Sequence, residues 1–442
     1  MTPSFAFDLH STAASLEERI RAFRPLEIDV PWRDEIIFPN YDGLSIFNMA
    51  RTIGALLGLP GERPLDDAVW GGASPVDSVD RVVLFLTDGL GYKLLTRLLA
   101  NDADLQADIA AITDGRGPVP LTSIWPSTTA VALPTLWNAA PPAEHGMLGT
   151  IMYVNAFAQY ADMLKYTPFV GSPLPDTFDR WGLPGEAFVT VPSLPQRLAE
   201  IGVPTHLLLE YKLFNTGLSR ILHRGVQQMH PHYGSIDMWL RLREVLAQTR
   251  GQRLYLNVYW PVIDGLSHIY GAENAYVANE VKHQMATLRS ILSDPSVQDG
   301  RTLVLICADH GHNDTPDVID LRADAAIAPV GRAMRGTFGG ELRFSYLPLH
   351  ADCRDGVVET VRDSYSDRLA CLDPGELLQA GLFGPTDSPH PDFQHRTGDI
   401  ILAPRLGTRL ADSLRVRKDH VISIHGGTSA AEMLVPLMWS RI

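Results

Sequence analysis

"VLICADHGHND", residues 304–314, begins as a buried strand and ends in a row of metal-binding side chains. From Leu303 to Ala308 every side chain is apolar. A short run of this kind, rich in β-branched residues, reads as a strand covered on both faces. Asp309, His310, His312 and Asp314 follow within six positions, interrupted by Gly311, which lets the chain bend. Open α/β sheets bind ligands beyond the carboxyl ends of their strands, and this cluster falls at such an end.

The same pattern recurs along the chain. In "RVVLFLTDGLGYKLLTRLLAND" a strand over 81–86 stops at Asp88 and a helix over 91–100 follows. In "QRLYLNVYWPVIDGLSHIYG" a strand over 253–260 runs into Asp264 and His268, and in "DHVISIHGG" a strand runs into His425. Helical periodicity falls between them, over 195–201, 235–248 and 274–293. Alternating strand and helix predicts an α/β fold, a mostly parallel sheet with helices on both faces. Two further helices are expected at 12–24 and 44–58. Residues 322–412 carry many glycines and prolines between short segments and read as an inserted α+β cap. The expected organisation is a helical extension over 1–80 packed on a core of 81–321 and 413–442, with 322–412 as the small inserted subdomain.

Composition limits what such a chain can do. It has 442 residues, 45% of them hydrophobic and 20% charged, with a formal net charge of −14. That balance suits a globular enzyme and excludes nucleic-acid binding through a broad basic face. An acidic chain still binds phosphate when cations supply the positive charge. The three cysteines, Cys307, Cys353 and Cys371, show no C-x-x-C spacing and read as reduced thiols. There is no signal-peptide pattern and no apolar run long enough to span a membrane, so the cytoplasm is the expected location and no membrane partner is expected.

Asp88, Asp264, His268, Asp309, His310 and His425 each follow an apolar strand. A lone Asp there is usually a turn or cap residue, and a lone His usually a structural one. Three carboxylates and three imidazoles at four strand ends instead make two sites for a borderline divalent cation such as Zn²⁺, with Mn²⁺ the alternative. Asp264 and His268 are spaced i,i+4 and face one way on a helical turn. His312 is open to three roles: further ligand, partner of a ligand, or phosphate contact. Ser127, Thr128 and Thr129 follow Pro126 and precede a helix-compatible stretch, 130–138. A hydroxyl there is either a cap or a nucleophile whose alkoxide is stabilised by a metal and the helix dipole. Lys212, Tyr211 and Arg343 are candidate contacts for an anion or a base. His223, His230 and His232 fit no standard site and are expected to face solvent or line substrate. "DGLGYK" lacks the spacing of a phosphate-binding loop.

Taken in order, these segments resemble the alkaline phosphatase superfamily, in its nucleotide pyrophosphatase/phosphodiesterase branch. The matches are "FLTDGLG" with Asp88, "PSTTA…PPAEHGM" with Thr129 and His145, "DGLSHIYG", "ADHGH" and "HGGTSAAEMLVPL". The family's P-[TS]-x-T motif, followed sixteen residues later by H-G-[IM], is met by Pro126, Thr129 and His145-Gly146-Met147. The resemblance implies two Zn²⁺ ions, one held by Asp264, His268 and His425, the other by Asp88, Asp309, His310 and the Thr129 hydroxyl. It also implies a phosphoryl- or nucleotidyl-threonine intermediate and a small phosphate-ester substrate such as a nucleotide or related diester. The choice of Thr129 over Thr128 comes from the motif. The chain departs from the family pattern at Ala132, where Asn is usual, and at Asn138-Ala139, where Thr-Gly is usual. A phosphomonoesterase or phosphomutase using Ser127, and a non-catalytic binding protein on the same fold, are the competing expectations. A sulfatase is excluded, since no C-x-P-x-R exists. Ligating histidines need a partner for their second ring nitrogen, and Glu432 and Asp314 are the expected ones.

Overall fold

The run Thr302–Cys307 is a strand buried along its whole length, and so is Arg81–Thr87. The computed structural model describes residues 9–72, 79–171, 174–413 and 421–442, with the backbone alone for 9–11. Seven strands build the main sheet: β1 (Arg81–Thr87), β2 (Val119–Thr122), β3 (Thr205–Glu210), β4 (Gln228–His232), β5 (Leu254–Trp260), β6 (Thr302–Cys307) and β7 (Leu434–Arg441). Their spatial order is β2-β7-β6-β1-β5-β3-β4. The five strands from β6 to β4 are parallel, and β7 runs antiparallel to both its neighbours. Strands covered on both faces have no polar side to present, which is why β1 and β6 read as continuous apolar runs.

Helices form where the periodicity predicts them: Tyr92–Asn101, Leu194–Glu200, Ser235–Gln248 and Ala275–Leu292. Two carry the site: α1 (Thr129–Asn138) and α2 (Val262–Tyr270). The N-terminal helices, Leu9–Ala22 and Ile46–Leu56, place apolar side chains in the main core. The extension also reaches the site, because Ile37 N–H donates to the Thr428 carbonyl.

Two expectations need correction. The segment running into His425 is not a strand of the main sheet. Of its described residues only Ser423–Ile424 form a strand, which pairs antiparallel with Asn313–Asp314. The place beside β6 goes to β7, whose longer run buries seven of its eight residues. The insertion also differs from a cap confined to 322–412. Its antiparallel sheet contains Gly339–Glu341, Phe344–Leu347, Leu369–Leu372 and Ile400–Pro404, then continues through Ile151–Val154, Gln159–Asp162 and Thr167–Pro168. Strand alternation splits its apolar side chains. Ile400 and Leu402 join a separate small core, whereas Ile401 and Ala403 join the main one. The insertion is therefore a layer of the molecule rather than a detached lid.

Candidate active site

Asp88 and Asp309 stand at the carboxyl ends of the adjacent strands β1 and β6, and sheet register brings them together. Asp309 Oδ1 accepts from the backbone N–H groups of Gly89 (3.2 Å) and His310 (3.0 Å). Tyr259, on β5, donates its hydroxyl to Asp88 Oδ2. These contacts leave Asp88 Oδ1 and Asp309 Oδ2 buried with no hydrogen-bond partner among the described residues. His310 Nε2 lies 3.4 Å from the first and 3.5 Å from the second. His310 Nδ1 is 3.1 Å from the Gly311 carbonyl, which can only accept. The proton therefore sits on Nδ1, and Nε2 presents a lone pair to the Thr129 hydroxyl at 3.0 Å.

Close backbone packing makes this possible. A Cβ on Gly89 would lie 2.9 Å from Asp264 Cα, and one on Gly311 would lie 2.0 Å from the Ala431 carbonyl. Gly311 is thus needed for a close approach rather than for an unusual backbone angle.

The second group surrounds Asp264 at the first turn of α2. Asp264 Oδ1 is 3.3 Å from His268 Nε2, 3.4 Å from His425 Nε2 and 2.8 Å from His312 Nε2. The His310 and His425 rings stack with centroids 3.8 Å apart, joining the two groups. Burial alone would raise Asp264, but the neighbouring imidazoles of His268 and His312 take it well below the usual carboxylate range. Asp88 goes the opposite way, pushed well up by burial and by the charges of Asp309 and Asp264. Burial, then the neighbouring His310, holds His425 well below an ordinary histidine.

Donor chemistry fits divalent cations. The ligand atoms of Asp88, Asp309 and His310 lie within 4.8 Å of one another, as do those of Asp264, His310, His312 and His425. Carboxylate and imidazole donors in such clusters suit Zn²⁺ and its neighbours. Unpartnered buried carboxylate oxygens are costly unless something engages them.

The remaining sequence candidates fall in varied places. Thr129 is the one of the three hydroxyls within hydrogen-bond reach of His310, while Ser127 donates to the Gly427 carbonyl at 2.7 Å. Arg343 is not available to a substrate. It is fully buried, paired through two nitrogens with Glu432 and donating also to the Arg405 and Thr408 carbonyls. Glu432 is consequently not a histidine partner; it accepts from Gly427 N–H and the Ser429 hydroxyl. Asp314 accepts from Ala272 N–H instead. Lys212 lies on the exposed turn after β3, 3.4 Å from Glu210, beside Tyr211, which stacks on Tyr233. His230 and His232 are buried rather than solvent-facing, and His223 is lowered to about 3 by burial. Sequence reading missed Tyr259 and Ser423. The first looked like one more residue of an apolar strand. The second acts through a carbonyl that holds His268 Nδ1 at 2.8 Å, a contact independent of side-chain type.

His145, part of the matched motif, proves to be a clasp. Its Nδ1 accepts from Met147 N–H, so its Nε2–H donates to Thr135 Oγ1 on α1. It steadies the helix that carries Thr129. No helix among the described residues is long and apolar enough to cross a membrane.

No curated protein matches the chain in sequence. Murine ectonucleotide pyrophosphatase/phosphodiesterase 5, solved also as an inactive variant with AMP, superposes with a TM-score of 0.57 at 12% identity, covering 80% of this chain and 87% of its own. Phosphonoacetate hydrolase from Sinorhizobium meliloti, solved with phosphonoformate, gives 0.57 at 16%, covering 82% and 90%. Identities this low speak for a shared fold. The family profile for type I phosphodiesterase/nucleotide pyrophosphatase matches residues 82–427, a span holding every candidate ligand. With that profile covering most of the chain, the protein belongs to the type I phosphodiesterase/nucleotide pyrophosphatase family of the alkaline phosphatase superfamily.

Proposed function

We propose that the chain is a metal-dependent phosphodiesterase or nucleotide pyrophosphatase that works through Thr129. Asp264, His268 and His425 would hold one divalent cation, and Asp88, Asp309 and His310 the other, with the Thr129 hydroxyl beside it. Zn²⁺ is the first choice for this donor set and Mn²⁺ the second. Two such cations would supply charge neutralisation for the phosphoryl oxygens and lower the pKa of a hydroxyl or water.

The chain's own residues do the rest. His310, its tautomer set by the Gly311 carbonyl, would give its Nε2 lone pair to the cation it shares with Asp88 and Asp309, and the Thr129 hydroxyl, 3.0 Å from the same nitrogen, would lie beside it. Thr129 Oγ1, its proton given up to bulk water, then forms a bond to phosphorus as the bond to the leaving oxygen breaks and that oxygen keeps the electron pair, and water cleaves the resulting phosphoryl- or nucleotidyl-threonine. The N-terminus of α1 favours the negative charge that develops there. The single observation that carries the reading is the 3.0 Å contact between Thr129 and an imidazole of the donor cluster.

A nucleotide or related small diester is the proposed substrate, in keeping with the AMP complex of the murine neighbour. The three cysteines are free, which supports a reducing compartment such as the cytoplasm. Engagement of Ser127 by the Gly427 carbonyl weighs against a serine-based phosphatase or mutase. The test is hydrolysis of bis-p-nitrophenyl phosphate against p-nitrophenyl phosphate with Zn²⁺ or Mn²⁺ added. Faster diester cleavage is expected, and a clear monoester preference would move the protein to the phosphatase side.

A further inference from the structure

Three imidazoles converge on one oxygen of Asp264, one more than the proposed ligand set uses. Proton bookkeeping separates them. His268 Nδ1 faces the Ser423 carbonyl at 2.8 Å and must carry a hydrogen, so its Nε2 offers a lone pair. His312 Nε2 faces Asp264 Oδ1 at 2.8 Å. A carboxylate only accepts, so here the hydrogen is on Nε2. The Nδ1 of the neutral ring then has a lone pair, and it lies 3.2 Å from the Ser423 hydroxyl, which donates to it. One residue thus sets two opposite tautomers, His268 through its carbonyl and His312 through its hydroxyl. Its position is fixed because Ser423 pairs with Asp314 in the short two-stranded ladder.

We infer that His312 and Ser423 form a positioning relay for Asp264: His312 donates to Oδ1 and, held in that tautomer by the Ser423 hydroxyl, is not itself a ligand. His312 occupies one oxygen of the carboxylate and fixes its rotamer. The carboxylate is left pre-set for a cation of the N/O-preferring divalent class. This inference rests on the two-cation reading above. Groups that orient metal ligands in this way typically change affinity by about 10- to 100-fold when removed.

The test uses the full chain stripped of metal and titrated with Zn²⁺ against a chromophoric chelator, with circular dichroism to check folding. The wild-type chain should take up two ions. His312→Leu and Ser423→Ala should each bind one of the two about 10- to 100-fold more weakly and leave the other unchanged. The double variant should be no worse than either alone, because both act through one contact. His312→Gln, which keeps an N–H donor, and Ser423→Thr, which keeps the hydroxyl, should stay within a few-fold of wild type. Wild-type affinity at both ions in His312→Leu and Ser423→Ala overturns the relay. A loss in His312→Gln as large as in His312→Leu also overturns it, and makes the imidazole a direct ligand. A wild-type chain that takes up no ion overturns the two-cation reading itself, and the relay with it.

Discussion

Asp88, Asp309 and His310 leave two adjacent parallel strands, and their side chains are 3%, 0% and 0% exposed. Asp264, His268 and His425 come from a helix and a loop, and theirs are 19%, 30% and 12% exposed. The inner group is positioned by the register of β1 against β6. The outer group is positioned by α2 together with whatever holds the segment that carries His425. That support is a set of separate contacts: Glu432 with Arg343, Ile37 with Thr428, and Ser423 with Asp314. A site can therefore be half scaffold and half assembly, and the two halves should respond differently to perturbation.

The largest expected effect concerns the inner half. Thr129→Ala should lower turnover by roughly a thousandfold or more while both ions remain, checked by steady-state kinetics and metal analysis. Full activity in that variant would remove Thr129 as the nucleophile. Next, Arg343→Met should leave Glu432 as an uncompensated buried charge and cost about 3–5 kcal/mol in a urea unfolding experiment. Because Glu432 holds the loop that carries His425, the outer ion should be lost and the inner one kept. Equal loss of both would break the comparison.

A smaller effect concerns His145, which clasps α1 and is fully buried. Burial first, then His390 and Arg396, hold it at about 3 against 6.5 unfolded. Between those values the unfolded chain binds more protons than the folded one. The contribution is therefore complete above about pH 6.5 and is lost as pH falls toward about pH 3, amounting to roughly 2–3 kcal/mol by about pH 4.5. His145→Gln should flatten the dependence of unfolding free energy on pH over that window, and an unchanged slope would deny His145 this role. The smallest effect is kinetic. Under a chelator the outer ion should leave first, giving two phases of release. A single phase would mean that the exposure difference has no consequence for exchange.

Much of the inner half was legible in the residues. Apolar runs ending in Asp88 and Asp309 signalled buried strands, and sheet pairing of β1 with β6 then made their meeting unavoidable. The His425 segment was less readable. Its apolar run resembled a core strand, yet β7 took that place, because a longer apolar segment buries more surface beside β6. Arg343 looked like an anion contact for a similar reason. Residue type announces charge but not the partner, and Glu432 lies 89 positions away in sequence.

By itself, then, the sequence determined the α/β class, the strands that end at Asp88 and Asp309 and, through its motif spacing, the family. Those features are local or periodic, and local chemistry reaches only a few residues along the chain. Tertiary structure alone decided that the insertion shares its sheet with 151–168, that Arg343 is a buried strut, and that Ser423 holds two histidines in opposite tautomers. Each of these depends on a contact between distant segments, where packing and hydrogen-bond saturation select the partner and no single stretch records the choice.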